Sequence, residues 1–221
     1  MYPRVDSTNR LRHLAFVIDG LATAGPPAAA AAAAFAAATA LLPAALAAEP
    51  GPIDALTFFA PELRDPVLTR DEAVIAACAA GLSHLAGAAR GAGAVFRLLG
   101  RTDRIPAPLA APGDGAAGPG PLVGWFLDYG SRDEILRAAG RIPAGAAIDE
   151  EGFAALLDTA GIPDPDLVLY VGGDFEPKDF LLWQASYAEL WHTPTPWPEF
   201  TAPALGDALA DFAGRQRRFG G

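Results

Sequence analysis

This sequence is short of cations and nearly free of cysteine. Its 221 residues carry 16 Lys and Arg against 26 Asp and Glu, a formal net charge of −10. A nucleic-acid surface needs clustered cations to neutralise phosphates, and the only locally basic stretch is the tail with Arg215, Arg217 and Arg218. Nucleic acid is therefore excluded as a partner. The single cysteine, Cys78, excludes an internal disulfide and fits a reducing compartment, the cytoplasm. His13, His84 and His192 have no metal-ligand spacing. The opening MYPRVDSTNRLRH leads directly into a strand-like run, so no secretory segment is expected. Internal repeats are absent, and the length suits one α/β domain over 1–221.

The one long uncharged run, Ala28–Ala48, is nearly all alanine and contains Pro43. Alanine forms helices readily but anchors poorly in a bilayer, so a soluble helix is expected and no transmembrane segment. Around it, strand and helix signals alternate. Short apolar runs at His13–Asp19, Ile53–Ala60, Ala94–Gly100, Leu122–Tyr129, Asp166–Gly172 and Tyr187–Trp191 predict six strands. Helices are predicted at Pro66–Arg90, Ser131–Arg141, Asp149–Gly161 and Pro203–Arg218, with Ser131 and Glu134 spaced as a capping box. The Pro/Gly-rich stretch Arg101–Pro121 reads as a loop, and its acids Asp103 and Asp114 belong to no motif. Such alternation predicts one parallel sheet of about six strands with helices on both faces. Ligands gather at the carboxyl ends of such strands, which places Asp19, Glu62, Asp128 and Gly172–Asp174 near one rim.

Several stretches in this order resemble the cis-prenyltransferase family of undecaprenyl diphosphate synthase: RHLAFVIDG, LTFFAPE, DYGSRDEI, IPDPDLVLYVGGD, FLLWQASYAEL, WPEF and the terminal RRFGG. The resemblance covers nearly the whole chain. It implies a six-stranded parallel sheet, an apolar tunnel for a prenyl chain, a homodimer or heterodimer, and Mg²⁺-assisted condensation of an allylic diphosphate with isopentenyl diphosphate. It matches Asp19 and Glu189 to the family's metal-holding acids, with Asp19 at the catalytic centre and Gly20 beside it. Asp174 stands for a glutamate after Gly172-Gly173, Arg64 for an arginine near the third motif, and Arg218 for a tail arginine that reaches a diphosphate across the dimer.

The family's phosphate clamps are largely missing. Asp19-Gly20 is followed by Leu21-Ala22-Thr23-Ala24, where the family has Asn, Gly, Arg and Trp. Two arginines and a serine that bind isopentenyl diphosphate fall at Tyr170, Glu176 and Lys178. Glu176 inverts a charge, and like charges at contact repel by several kcal/mol in a partly dry site. Lys178 is a partial replacement.

Each candidate also has a plainer reading. Asp19 is otherwise an acid at a strand exit, Glu189 an acid paired with a tail arginine, and Asp174 a solvated turn residue. Trp183, Trp191 and Trp197 read as packing rather than a ligand cage. Two functions follow from the resemblance. One is a divergent prenyltransferase that binds Mg²⁺ through Asp19 and Glu189 and transfers or cyclises an allylic prenyl diphosphate, with Tyr170 lining a non-standard acceptor pocket. The other is a non-catalytic homologue acting as a dimer partner or an isoprenoid-binding protein.

Overall fold

The computed structural model describes residues 10–21, 25–48, 52–64, 70–110 and 118–215. Six strands form one parallel sheet: β1 (His13–Ile18), β2 (Ala55–Phe59), β3 (Val95–Gly100), β4 (Leu122–Leu127), β5 (Leu167–Val171) and β6 (Glu189–Thr193). Their spatial order is β3-β4-β2-β1-β5-β6. The helices are α1 (Pro27–Leu46), α2 (Glu72–Gly91), the one-turn α3 (Ala107–Ala110), α4 (Ser131–Gly140), α5 (Glu150–Ala154) and α6 (Ala202–Gly214). Single 3₁₀ turns lie at Gln184–Tyr187 and Trp197–Glu199.

The central strands are apolar along their whole length because both faces of the sheet are covered. On β1, Leu14, Phe16 and Ile18 enter one core while Ala15 and Val17 enter the other. The larger core joins α1, α2 and α6 to the sheet around Phe16, Phe58, Trp125, Phe35 and Trp197. The smaller one packs Phe59, Phe126, Tyr129, Tyr170, Phe180 and Leu181. By length and composition α1 and α2 could each cross a bilayer. In this fold the buried side of α1, centred on Ala31, Phe35, Ala38 and Leu42, lies in the larger core. Alanine permits that approach, and a glycine completes it: a Cβ on Gly81 of α2 would lie 2.5 Å from the Phe35 ring.

Three local expectations change. Ser131 is the first residue of α4 rather than its cap, and Glu134 is buried. The cap comes from elsewhere in the chain: the Asp179 carbonyl accepts from Ser131 N–H at 2.8 Å and its carboxylate from Arg132 N–H at 3.1 Å. The helix expected over Asp149–Gly161 contracts to α5, capped by Asp149. The sixth strand starts at Glu189 and runs on to Thr193, past the expected end at Trp191. Asp71 caps α2 through Ala73 and Val74 N–H, and His13 is buried in β1.

Candidate functional site

From β1 the chain moves toward β2 on one side, and from β5 toward β6 on the other. The gap between β1 and β5 is thus the topological switch point of the sheet, where open α/β folds place ligands. A pocket of about 400 Å³ opens there, lined by Asp19, Gly20, Leu21, Gly172, Gly173 and the segment Pro194–Glu199, including the buried Trp197. Its walls form because both strands end at glycine turns. The ladder extends one residue beyond the strands, with Asp19 N–H donating to Val171 O at 2.9 Å and Gly172 N–H to Thr193 O at 3.0 Å. Gly20, Gly172 and Gly173 then take φ of +77°, +84° and +55°. A Cβ on Gly173 would overlap the Asp19 carboxylate.

Both oxygens of Asp19 have a partner. Its Oδ1 accepts from Gly20 N–H at 2.9 Å, and its Oδ2 lies 3.0 Å from Lys178 Nζ. Lys178, the only lysine in the chain, also reaches Glu176 Oε2 at 2.9 Å. Hydrogen bonds to Glu176 and Asp19 hold its ammonium above the ordinary lysine range. Lys178, Asp179 and Leu181 have φ of +52°, +56° and +46°, each costing roughly 1–2 kcal/mol for a side chain with a Cβ. The loop is braced from outside: Arg64 Nη2 donates to Lys178 O at 2.9 Å, Leu182 N–H to Ser131 Oγ at 3.0 Å, and Phe180 stacks on Phe59 at 4.7 Å.

Glu62 stands next to this pair. Its Oε1 accepts from Leu21 N–H at 3.0 Å, and its Oε2 is buried without a hydrogen-bond partner among the described residues. Burial first, then the charge of Asp19, raises its pKa.

The other predicted residues fall in different places. Tyr170 does not line this pocket. Its side chain enters the opposite core, 5% exposed and edge-on to Phe175, and burial raises its pKa. Arg64 lies over the Phe59 ring at 5.2 Å and braces the loop instead of facing the pocket. Asp174 is exposed in the turn, its carbonyl accepting from Glu176 N–H. Asp128, at φ +46°, pairs with Arg104 at 2.6 Å. Arg218 lies outside the described residues.

Glu189 is displaced most. Ile18 aligns with Val171, and Val171 with Thr193, so Glu189 lies at the amino edge of the sheet. At about 3.3 Å per residue it sits roughly 16 Å from the level of Asp19 along the strands. There it pairs with Arg215 at 3.0 Å, the plainer of the two readings. Within one chain the fold does not bring Asp19 and Glu189 together. Among the described residues no three His, Cys, Asp or Glu side chains are grouped to hold a metal. As placed, the residues do not fit Mg²⁺, because a divalent ion on Asp19 would lie against the Lys178 ammonium 3.0 Å from Oδ2.

The family model described as a putative undecaprenyl diphosphate synthase matches residues 92–220, more than half of the chain. An isoprenyl transferase from Wolinella succinogenes is 51% identical over 96 residues, 43% of this chain and 42% of that one. One from Geobacter sulfurreducens is 36% identical over 138 residues, covering 57% and 56%. These alignments therefore span well under two thirds of the relatives' own length. Among solved structures, a lavandulyl diphosphate synthase from Lavandula x intermedia superposes with a TM-score of 0.81 at 22% identity, over 96% of this chain and 99% of that one. A probable undecaprenyl diphosphate synthase from Campylobacter jejuni does so with a TM-score of 0.74 at 25% identity, over 97% and 100%. With the ordered motifs, the six-stranded parallel sheet and the model match over its carboxyl-terminal half, this chain belongs to the undecaprenyl diphosphate synthase family of prenyltransferases.

Proposed function

We propose that this chain is a non-catalytic member of its family, acting in the cytoplasm as the partner of a second, fully equipped prenyltransferase subunit. The observation that carries the reading is the Asp19–Lys178 pair: the pocket's central acid is already neutralised by a cation of its own chain. Among the described residues the pocket lining holds no Lys or Arg, and Glu199 adds a negative charge, so a diphosphate entering it would find no cation of the lining to bind it. A partner role is supported by the exposed apolar residues around the edge strand β6. Phe175, Leu182, Tyr187 and Leu190 are 53%, 43%, 59% and 39% exposed, within the part of the chain that matches the family model. Arg218 would be the tail residue contributed to the partner's diphosphate.

The test is reconstitution. The purified chain, given Mg²⁺, an allylic diphosphate and isopentenyl diphosphate, is expected to form no product. Mixed with a family member carrying the full motif set, it should elute as a 1:1 complex and change that partner's rate, and Arg218→Ala should abolish the change. Elution of the two proteins as separate species would sink the reading.

A second reading keeps some chemistry: transfer or cyclisation of an allylic prenyl diphosphate with an acceptor other than isopentenyl diphosphate. It is supported by the open pocket at the switch point, walled by Trp197, Pro194, Pro196 and Pro198. Metal-independent release of diphosphate from an allylic diphosphate by the purified chain alone would favour it.

A further inference from the structure

We propose that Lys178 is a tethered cation holding the place of a divalent metal at Asp19, so that the switch-point pocket excludes Mg²⁺ by construction. This deepens the reading of the same site by naming what fills it, and it stands or falls by a separate measurement.

Four observations converge. Lys178 Nζ meets Asp19 Oδ2 at 3.0 Å while Oδ1 accepts from Gly20 N–H, so the ammonium already stands where a cation bound to Oδ2 would sit. A second carboxylate, Glu62, is turned to the Leu21 backbone through Oε1, and its remaining oxygen is buried. The residue is the chain's only lysine, a compact charge on a flexible stem, where the planar, forked guanidinium of arginine is the cation used everywhere else. Finally, its position is built. The 178–181 loop holds three non-glycine residues in left-handed backbone, and that conformation persists because Arg64, Ser131 and Phe59 grip it from other elements. A divalent ion at Asp19 would have to expel the ammonium or sit against it, and like charges at contact in a half-buried site repel strongly.

Metal binding to the single purified chain tests this. Mn²⁺, used as a paramagnetic stand-in for Mg²⁺, is titrated by water-proton relaxation into wild type, Lys178→Met, Asp19→Asn and the double variant. Methionine is unbranched like lysine, so it makes the same demand on the left-handed backbone, and circular dichroism checks that each variant is folded. Wild type should show no Mn²⁺ binding that Asp19→Asn removes. Lys178→Met should bind at least about ten-fold more tightly than wild type, as expected when a contact charge is removed, and the double variant should lose that gain. Asp19-dependent binding by wild type, or no gain in Lys178→Met, overturns the inference. A second readout uses the lone lysine: after reductive ¹³C-methylation, the Lys178 resonance should stay sharp as Mn²⁺ is added, and selective broadening overturns the inference. Neither measurement depends on a partner subunit, so the reconstitution result is unaffected by either outcome.

Discussion

The carboxylate of Asp19 fills the space in which a side chain on Gly173 would begin. Two strands that are adjacent in the sheet but far apart in sequence end there, and the acid of one rests on the bare backbone of the other. Gly173→Ala should therefore destabilise twice, once through the clash and once through φ of +55°. A loss of roughly 1–3 kcal/mol is expected in urea unfolding. Asp19→Ala in the same background removes the clash but not the strained φ, so it should recover part of the loss. A double-mutant cycle with no coupling between the two positions would refute the packing argument.

Much of this rim was legible in the sequence. Apolar runs that end in an acid and a glycine mark buried parallel strands, and the rule for α/β sheets gathers those ends at one edge. Asp19, Gly172 and Gly173 meet there as expected. Lys178 was not legible as Asp19's partner. Its reach depends on a loop with three non-glycine residues in left-handed backbone, a conformation that local propensity argues against. The position of Glu189 was not legible for a different reason. The resemblance pairs it with Asp19, but β6 begins at Glu189, and register in a parallel sheet then fixes it at the far edge. The capping box at Ser131 failed because Asp179, some fifty residues away, supplies the cap instead.

Gly81 and Gly206 should respond to alanine with opposite signs. Both lie in helices, where glycine costs roughly 0.5–1 kcal/mol relative to alanine. Gly206 on α6 has nothing within 4 Å of the added Cβ, so Gly206→Ala should stabilise by that amount. At Gly81 the Cβ would meet the Phe35 ring at 2.5 Å, in the tight α1–α2 contact. Overpacking there should outweigh the propensity gain, for a net loss of roughly 1–3 kcal/mol. Thermal unfolding of the two variants side by side decides it, and a stabilising Gly81→Ala would mean that α1 can move away.

Glu134 holds together the second face of the sheet. Fully buried, it accepts from Tyr129 Oη at 2.6 Å and Gln184 Nε2 at 3.1 Å through Oε2, and from Asp158 N–H at 2.7 Å through Oε1. Burial is the largest influence on its pKa and raises it. Glu134→Ala takes the acceptor from Asp158 N–H and leaves Tyr129 Oη and Gln184 Nε2 with only Ser131 Oγ and Thr159 Oγ1, so it should cost roughly 2–4 kcal/mol in chemical denaturation. Glu134→Gln keeps the shape and one acceptor oxygen, and it should cost less than half as much. Equal losses from the two would argue that the charge, not the hydrogen-bond count, is what the network uses.

His13 should make the fold acid-sensitive. It is 1% exposed, with Nδ1 2.7 Å from Pro163 O and Nε2 2.8 Å from Thr57 Oγ1, tying β1 to β2 and to the segment before β5. Burial lowers its pKa from 6.5 to about 4, against smaller opposing effects of the Pro163 hydrogen bond and the Asp166 charge. Between those values the unfolded chain binds a proton that the folded chain does not, so stability falls as pH falls through that window. At 1.36 kcal/mol per pKa unit the loss is at most about 3 kcal/mol, complete near pH 4. Asp164 works in the opposite direction: burial and the charges of Glu150 and Asp166 raise its pKa to about 6, so its protonation favours the fold as pH drops. The comparison must therefore be between wild type and His13→Gln, which keeps Asp164 in both. The variant should start less stable at pH 7.5 and lose less on acidification, so that the two unfolding free energies converge toward pH 4.5. Parallel curves would mean that the imidazole is already solvated in the folded chain.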